Sequence, residues 1–168
     1  MVFRSKLFLL SETEFRKYED KLEDYEWCWL RTPFDDPVKI AAKSFARVVI
    51  GNRTVISYNI ADSKNVHVRP ACHVYNIDSL PISGCNRVHM GYLGRMIEWT
   101  VLDWYEGLMV SNLSFGTRCF DPSTNQYAAS DVNCFLQSVY DYMDNGLTDI
   151  KEYIADTLID GEISLPLW

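Results

Sequence analysis

A chain of 168 residues with 48% apolar and 14% aromatic content is long enough to bury one sizeable core and short enough to predict a single domain. Its longest apolar runs, residues 7–10 and 48–50, fall far short of the roughly 20 residues that a membrane span needs, so no membrane partner is expected. Charge divides unevenly along the chain: residues 1–95 carry 14 Lys+Arg against 11 Asp+Glu, or +3, whereas residues 96–168 carry 2 against 12, or −10.

A field of that sign repels phosphate backbones and attracts basic surfaces, which disfavours direct nucleic-acid binding and permits a cationic protein partner. The ordinary alternative is a solvated acidic surface that only aids solubility. Arg4 and Lys6 precede a short apolar run, but Glu12 and Glu14 follow at once and no small-residue cleavage site comes after. This predicts no signal peptide and a cytoplasmic location. Five cysteines, at 28, 72, 85, 119 and 134, lack regular spacing and read as buried thiols in a reducing compartment rather than a disulfide framework.

In chain order, residues 6–10 read as a short buried strand, and Ser11-Glu12-Thr13-Glu14 has the form of a capping box that starts a helix at Glu12. Phe15, Tyr18, Leu22 and Tyr25 recur at helical spacing, which predicts an amphipathic helix of about three turns. Residues 27–31 are strand-like, and Pro33 and Pro37 make the following stretch a loop. Residues 41–50 and 54–60 form a hairpin about Gly51-Asn52, and residues 66–74 form a further strand. In residues 75–94, Pro81, Gly84, Gly91 and Gly94 break any period, so this stretch reads as a connector between two halves. A second hairpin follows, with residues 95–104 and 108–111 as strands and Tyr105-Glu106-Gly107 as its turn. Ser130 caps a helix with Val132, Phe135, Leu136, Val139, Tyr140 and Met143 on one face, and Gly146 stops it. Thr148 then caps a last helix with Ile150, Tyr153, Ile154 and Leu158 facing inward, after which the tail packs through Leu165 and Trp168.

Short strings within these elements form a pattern. Phe8-Leu9-Leu10-Ser11-x-x-Glu14, Trp29-Leu30-Arg31-Thr32-Pro33, Gly51 in a hairpin, and Val68-Arg69-Pro70-Ala71 together resemble the closing half of DUF6273, a bacterial and phage domain family of unknown function related to C-type-lectin-like folds. Ile97-x-Trp99-x-Val101-Leu102, Leu108-Met109-Val110-Ser111, Phe120-Asp121, and Ser130-Asp131-Val132 with Phe135-Leu136 resemble its opening half. The halves stand in swapped order, residues 1–74 before 95–168, joined by 75–94. The resemblance implies an α+β fold: a single, circularly permuted C-type-lectin-like domain with a twisted antiparallel sheet and about three flanking helices. In it the 95–112 hairpin pairs with the strand near 66–74. A linker between neighbouring first and last strands makes such a permutation inexpensive. The resemblance also implies a scaffold for recognition, with variable loops on a stable core.

No Gly-x-Ser-x-Gly, Gly-x4-Gly-Lys-Ser/Thr, His-Glu-x-x-His or Gly-x-Gly-x-x-Gly string is present, so no catalytic residue is expected. Cys72, His73, Cys85 and His89 offer the ligand types zinc accepts, but their spacing matches no standard zinc pattern. No cofactor is therefore expected. Asp141, Asn145, Gly146 and Glu152 fall at calcium-loop positions 1, 5, 6 and 12, yet Met143 occupies position 3, where a thioether suits a hard cation poorly. Arg31 and Arg69 sit at strand ends, where pairing with a buried carboxylate or carbonyl is the expected duty. Trp27, Trp29, Trp99 and Trp104 are core candidates before they are a sugar-stacking platform.

Two functions follow. The first is a non-catalytic protein-binding module, a phage or mobile-element inhibitor of anti-CRISPR type that blocks the basic groove of a nucleic-acid-handling host nuclease. Its contact residues are Asp141, Asp144, Asp149, Glu152 and Asp156 on the two last helices, left unpaired because residues 96–168 contain only Arg118 and Lys151 as cations. The second is an enzyme or a small-ligand or carbohydrate receptor, with a pocket among the loops 32–40, 60–65 and 113–129.

Overall fold

The computed structural model describes residues 2–33, 44–61, 65–80, 82–83, 87–93, 95–144 and 151–167. Its elements are β1 (Phe3–Ser5), α1 (Glu12–Tyr18), β2 (Cys28–Pro33), β3 (Phe45–Val49), β4 (Val55–Asn59), β5 (Ala71–His73), β6 (Ile82–Ser83), β7 (Arg87–Tyr92), β8 (Arg95–Asp103), β9 (Leu108–Ser111), α2 (Asp131–Asp141), β10 (Met143–Asp144), β11 (Asp156–Ile159) and β12 (Ser164–Leu167). The strands pair antiparallel in three sheets, ordered β1-β11-β12, β2-β3-β4, and β10-β7-β8-β9-β5 with β6 on the flank of β7. The protein is thus mixed α and β, mostly antiparallel sheet with two α-helices among the described residues. No helix among them is long and apolar enough to cross a membrane. Buried side chains form one hydrophobic cluster running from Leu7 to Ile159 and including Trp29, Trp99 and Phe120.

The start of α1 follows its sequence closely. Ser11 Oγ accepts from the Glu14 N–H at 3.0 Å, and Glu14 Oε1 accepts from the Ser11 N–H at 2.9 Å, which completes the capping box. Ser11→Ala should lower stability by about 1 kcal/mol, as a shifted urea midpoint would show. Phe15, Tyr18, Leu22 and Tyr25 are all buried, although α1 is shorter than expected and tightens into a 3₁₀ turn at Glu19–Lys21. Asp24 and Trp27 then take left-handed backbone conformations, turning the chain into β2.

The β3–β4 hairpin turns at Gly51–Arg53, as the Gly-Asn pair predicts; the 41–43 portion of its first strand lies outside the described residues. The 95–112 hairpin also forms as β8 and β9, and β9 pairs with β5 through Ala71↔Val110, Cys72↔Met109 and His73↔Leu108. That contact joins the two parts of the chain as expected.

Several expectations are overturned. The buried strand predicted over residues 6–10 gives way to β1 at Phe3–Ser5, and residues 7–10 run extended and fully buried, with Phe8 and Ala71 exchanging backbone hydrogen bonds of 3.0 and 2.7 Å. The stretch read as a connector contains β7, which pairs with β8 over six residues from Arg87↔Thr100 to Tyr92↔Arg95. Val88 and Met90 alternate inward there, and Gly91, read as a breaker, simply continues the strand. The last helix does not form where expected: residues 151–153 make a 3₁₀ turn and residues 156–159 are β11, paired with both β1 and β12. β-branched Ile154, Thr157 and Ile159 favour a strand, and the buried alternation of Thr157 with Ile159 has period two. Leu165, expected to pack the tail, is half exposed at 49%, and Trp168 lies outside the described residues.

Candidate functional site

A grouping of aromatic and acidic side chains lies where β5 leaves its sheet beside the β8–β9 turn. Asn76 takes a left-handed conformation that swings the chain into the Ile77–Ser79 3₁₀ turn. Opposite it, Asp103 Oδ1 accepts the Glu106 N–H at 3.0 Å and pins residues 104–107 into a tight turn. Gly107, at φ +68°, closes that turn against Val74, whose N–H donates to the Gly107 carbonyl at 2.9 Å. With Pro166 of β12 these residues enclose an open groove of about 650 Å³. Tyr75, Trp104 and Tyr105 line it, Tyr105 being 96% exposed, and Asp78 and Glu106 supply its charge.

Electrostatics within the groove are graded. Partial burial, the nearby Asp103 carboxylate and the more distant Glu14 raise the Glu106 carboxyl above the ordinary glutamate value, against a weaker opposing pull from Lys17. Burial would also raise Asp103, but the Glu106 N–H, the Tyr18 hydroxyl at 2.8 Å and the Tyr105 N–H outweigh it and hold that carboxyl below its usual value.

Behind the groove lies a buried polar chain. His73 faces the Glu106 carbonyl through Nδ1 at 3.0 Å and Ser164 Oγ through Nε2 at 2.9 Å; Ser164 Oγ donates to Glu14 Oε2, and Glu14 pairs with Arg31. A serine, a histidine and a carboxylate therefore stand in sequence, but not in the order that activates a nucleophile. The carboxylate touches the serine, while a carbonyl holds the imidazole. Ser164 is also only 5% exposed, which keeps a substrate carbon from its oxygen. Burial lowers the His73 imidazole below its ordinary value, against partial opposition from the Glu106 carbonyl and the Glu14 charge. The unfolded chain takes up the proton first, so the stabilisation from neutral His73 is complete above about pH 6.5 and is lost as pH falls from there toward the folded value. Urea midpoints should drop between pH 7 and 5.5, and less steeply in His73→Gln.

The described metal candidates lie on β5 and β7. Cys72 and His73 are consecutive on β5 and project to opposite faces, Cys72 being wholly buried with its thiol pushed up by desolvation. His89 lies on β7 beside Glu98 at 3.7 Å, and Cys85 lies outside the described residues. Among the described residues no group of three His, Cys, Asp or Glu side chains is arranged to hold a metal. Of the calcium-loop positions, Asn145 and Gly146 also lie outside them. The expectation of uniformly buried thiols is corrected at Cys134, which is exposed, and Cys119, which is half-buried.

Arg31 and Arg69 carry the duties expected of them. Arg31 reaches the Leu9 and Asp160 carbonyls at 2.7 and 2.6 Å as well as Glu14, and Arg69 reaches the Ser111 and Glu23 carbonyls at 2.9 and 3.0 Å. Trp29 and Trp99 are core, whereas Trp27 and Trp104 are exposed at 37% and 38%.

The four described acidic candidates do not share helical faces. Asp141 is exposed at the end of α2, Asp144 pairs through its backbone with Gly91 in β10, and Asp149 lies outside the described residues. Glu152 is exposed in the 3₁₀ turn, and Asp156 stands on β11 with Lys6 3.3 Å away. Counting cations only within residues 96–168 missed this pairing, because Lys6 and Arg87 cross from the other half, Arg87 bonding to Glu98. Glu152 nevertheless adjoins the groove. Its carbonyl accepts the Tyr75 hydroxyl at 2.5 Å, and Tyr75 meets the Tyr153 ring edge-on at 5.7 Å between centroids.

Compared with known protein families, with curated proteins and with solved structures, the chain finds no match. The groove residues Tyr75, Asp78, Tyr105 and Glu106 were missed in the sequence reading. A usable signal was Trp104-Tyr105 at a hairpin tip, where two large aromatics have no core to enter. Of the loops proposed for a small-ligand pocket, Asn65 and Thr117 line a depression with Trp27 and His67, while residues 34–40 and 62–64 lie outside the described residues.

Proposed function

We propose that this protein is a non-catalytic binding module that engages a cationic surface of another protein through its acidic C-terminal part. Asp141 and Glu152 are the contact residues this reading places first, joined by sequence with Asp144 and Asp149. Asp156 contributes less, since Lys6 already partly neutralises it. The observation that carries the reading is the −10 balance of residues 96–168 together with the exposure of Asp141 and Glu152. Lys151 tempers that charge locally, donating to the Asp141 carbonyl at 3.3 Å.

On this reading the partner is a basic, nucleic-acid-handling host protein such as an effector nuclease, and the chain is an anti-CRISPR-like inhibitor of phage or mobile-element origin. A permuted DUF6273 scaffold of C-type-lectin-like fold belongs to the same proposal; the β5–β9 pairing, which joins the two sequence halves, supports it. Affinity capture from host lysate at low and high salt tests the function. The expected result is one stoichiometric basic protein released by salt. Recovery of no protein partner, together with binding of a small ligand or sugar at the Trp27 depression, would replace this reading with the receptor alternative.

A further inference from the structure

We propose that the groove between residues 74–78, the 104–107 turn and Pro166 receives an arginine side chain presented by an extended segment of the partner protein. This rests on the reading of the chain as a binder of cationic surfaces and gives that reading a defined pocket.

The walls supply the first argument. Tyr75, Trp104 and Tyr105 line one groove, and Tyr105, nearly fully exposed, buries almost nothing in the free protein. A cation over such a ring is held by the ring quadrupole, and a planar guanidinium stacks there where an ammonium cannot. Charge supplies the second. Asp78 and Glu106 line the groove, and among the described lining residues there is no Lys or Arg. Glu106 lines the groove with a carboxylate, the group that a guanidinium meets with a two-pronged contact. Size supplies the third. A groove of about 650 Å³ exceeds one side chain and leaves room for the backbone on either side of it. An anionic ligand would meet repulsion, and a neutral sugar would leave the carboxylates uncompensated.

The test is a titration of the ¹⁵N-labelled full chain with acetyl-Gly-Arg-Gly-amide at low salt, followed by NMR. Shifts should concentrate at the Trp104 indole N–H and at the amides of Tyr105, Glu106 and Gly107, and the Gly-Lys-Gly counterpart should bind more weakly. Tyr105→Ala should weaken binding about threefold and Glu106→Gln about tenfold. Neither change touches the main-chain bonds from the Glu106 N–H to Asp103 and from His73 to the Glu106 carbonyl. Shifts confined to Asp141 and Glu152, or unchanged affinity in both variants, would overturn the groove proposal and leave the acidic-surface reading standing. Groove shifts combined with partner binding that ignores Asp141 and Glu152 would do the reverse. Absence of any shift at millimolar peptide overturns the groove, and partner capture then judges the acidic surface independently.

Discussion

Replacing Arg31 with Met should lower the stability of the fold by about 3–5 kcal/mol, a large share of the 5–15 kcal/mol typical of a domain. Arg31 is 1% exposed and ties β2 to two stretches distant in sequence, residues 9–14 through the Leu9 carbonyl and Glu14, and the turn between β11 and β12 through the Asp160 carbonyl. Removing the guanidinium leaves Glu14, itself 7% exposed, as an uncompensated buried charge with Ser11 and Ser164 as its remaining donors among the described residues. That penalty outweighs whatever the methionine gains by packing. The companion Arg31→Met/Glu14→Gln removes the stranded charge and should recover part of the loss. A urea midpoint for the single variant within about 1 kcal/mol of the parent would show that the pair is not buried as described.

Gly107→Ala is the second large effect, expected at about 2–4 kcal/mol. At φ +68° an alanine is already strained, and its Cβ would stand 2.0 Å from the Val74 carbonyl oxygen. The Cβ position is fixed by the Gly107 backbone and the oxygen belongs to the Val74 backbone, the two held together by the Val74–Gly107 hydrogen bond, so no side-chain rotation relieves the clash. Gly51 is the internal control. Nothing lies within 4 Å of a Cβ built there, so Gly51→Ala should change the thermal midpoint little. The Gly107 variant should also displace Trp104 and Tyr105, so tryptophan emission should shift together with the loss of stability.

Much of the architecture was legible in the residues because it depends on local chemistry. The Ser11 capping box, the Gly51-Asn52 hairpin, the Ser130 cap and the alternation of Ile97, Trp99 and Val101 each express a short-range rule. What stayed hidden was decided by partners remote in sequence. Ile150, Tyr153, Ile154 and Leu158 recur at helical spacing, and the strand over residues 156–159 is decided by β1, some 150 positions away, becoming available for pairing. β7 was masked by counting its glycine as punctuation, although Val88 and Met90 already carried the strand period.

The same distinction separates the legible from the illegible part of the candidate site. A charge balance is a sum over residues and survives any fold, so the acidity of the C-terminal part was readable. Its geometry was not. Lys6 meets Asp156 only because β1 lies beside β11, and Glu152 meets Tyr75 only because residue 75 donates its backbone N–H to Tyr153 at 3.0 Å. Two aromatics at a hairpin tip gave the one local sign of the groove, and the Tyr75 wall, about 30 positions earlier, gave none.

The central claim, that carboxylates of the C-terminal part carry partner binding, is tested most directly by the affinity of Asp141→Lys/Glu152→Lys for the captured partner at low salt. Circular dichroism and the urea midpoint would verify the fold. Both side chains are exposed, so the double reversal should leave stability within about 1 kcal/mol. Affinity should fall at least about tenfold, chiefly through slower association, and its salt dependence should weaken. Undiminished binding by the folded double variant would contradict the claim and place the contact surface elsewhere on the molecule.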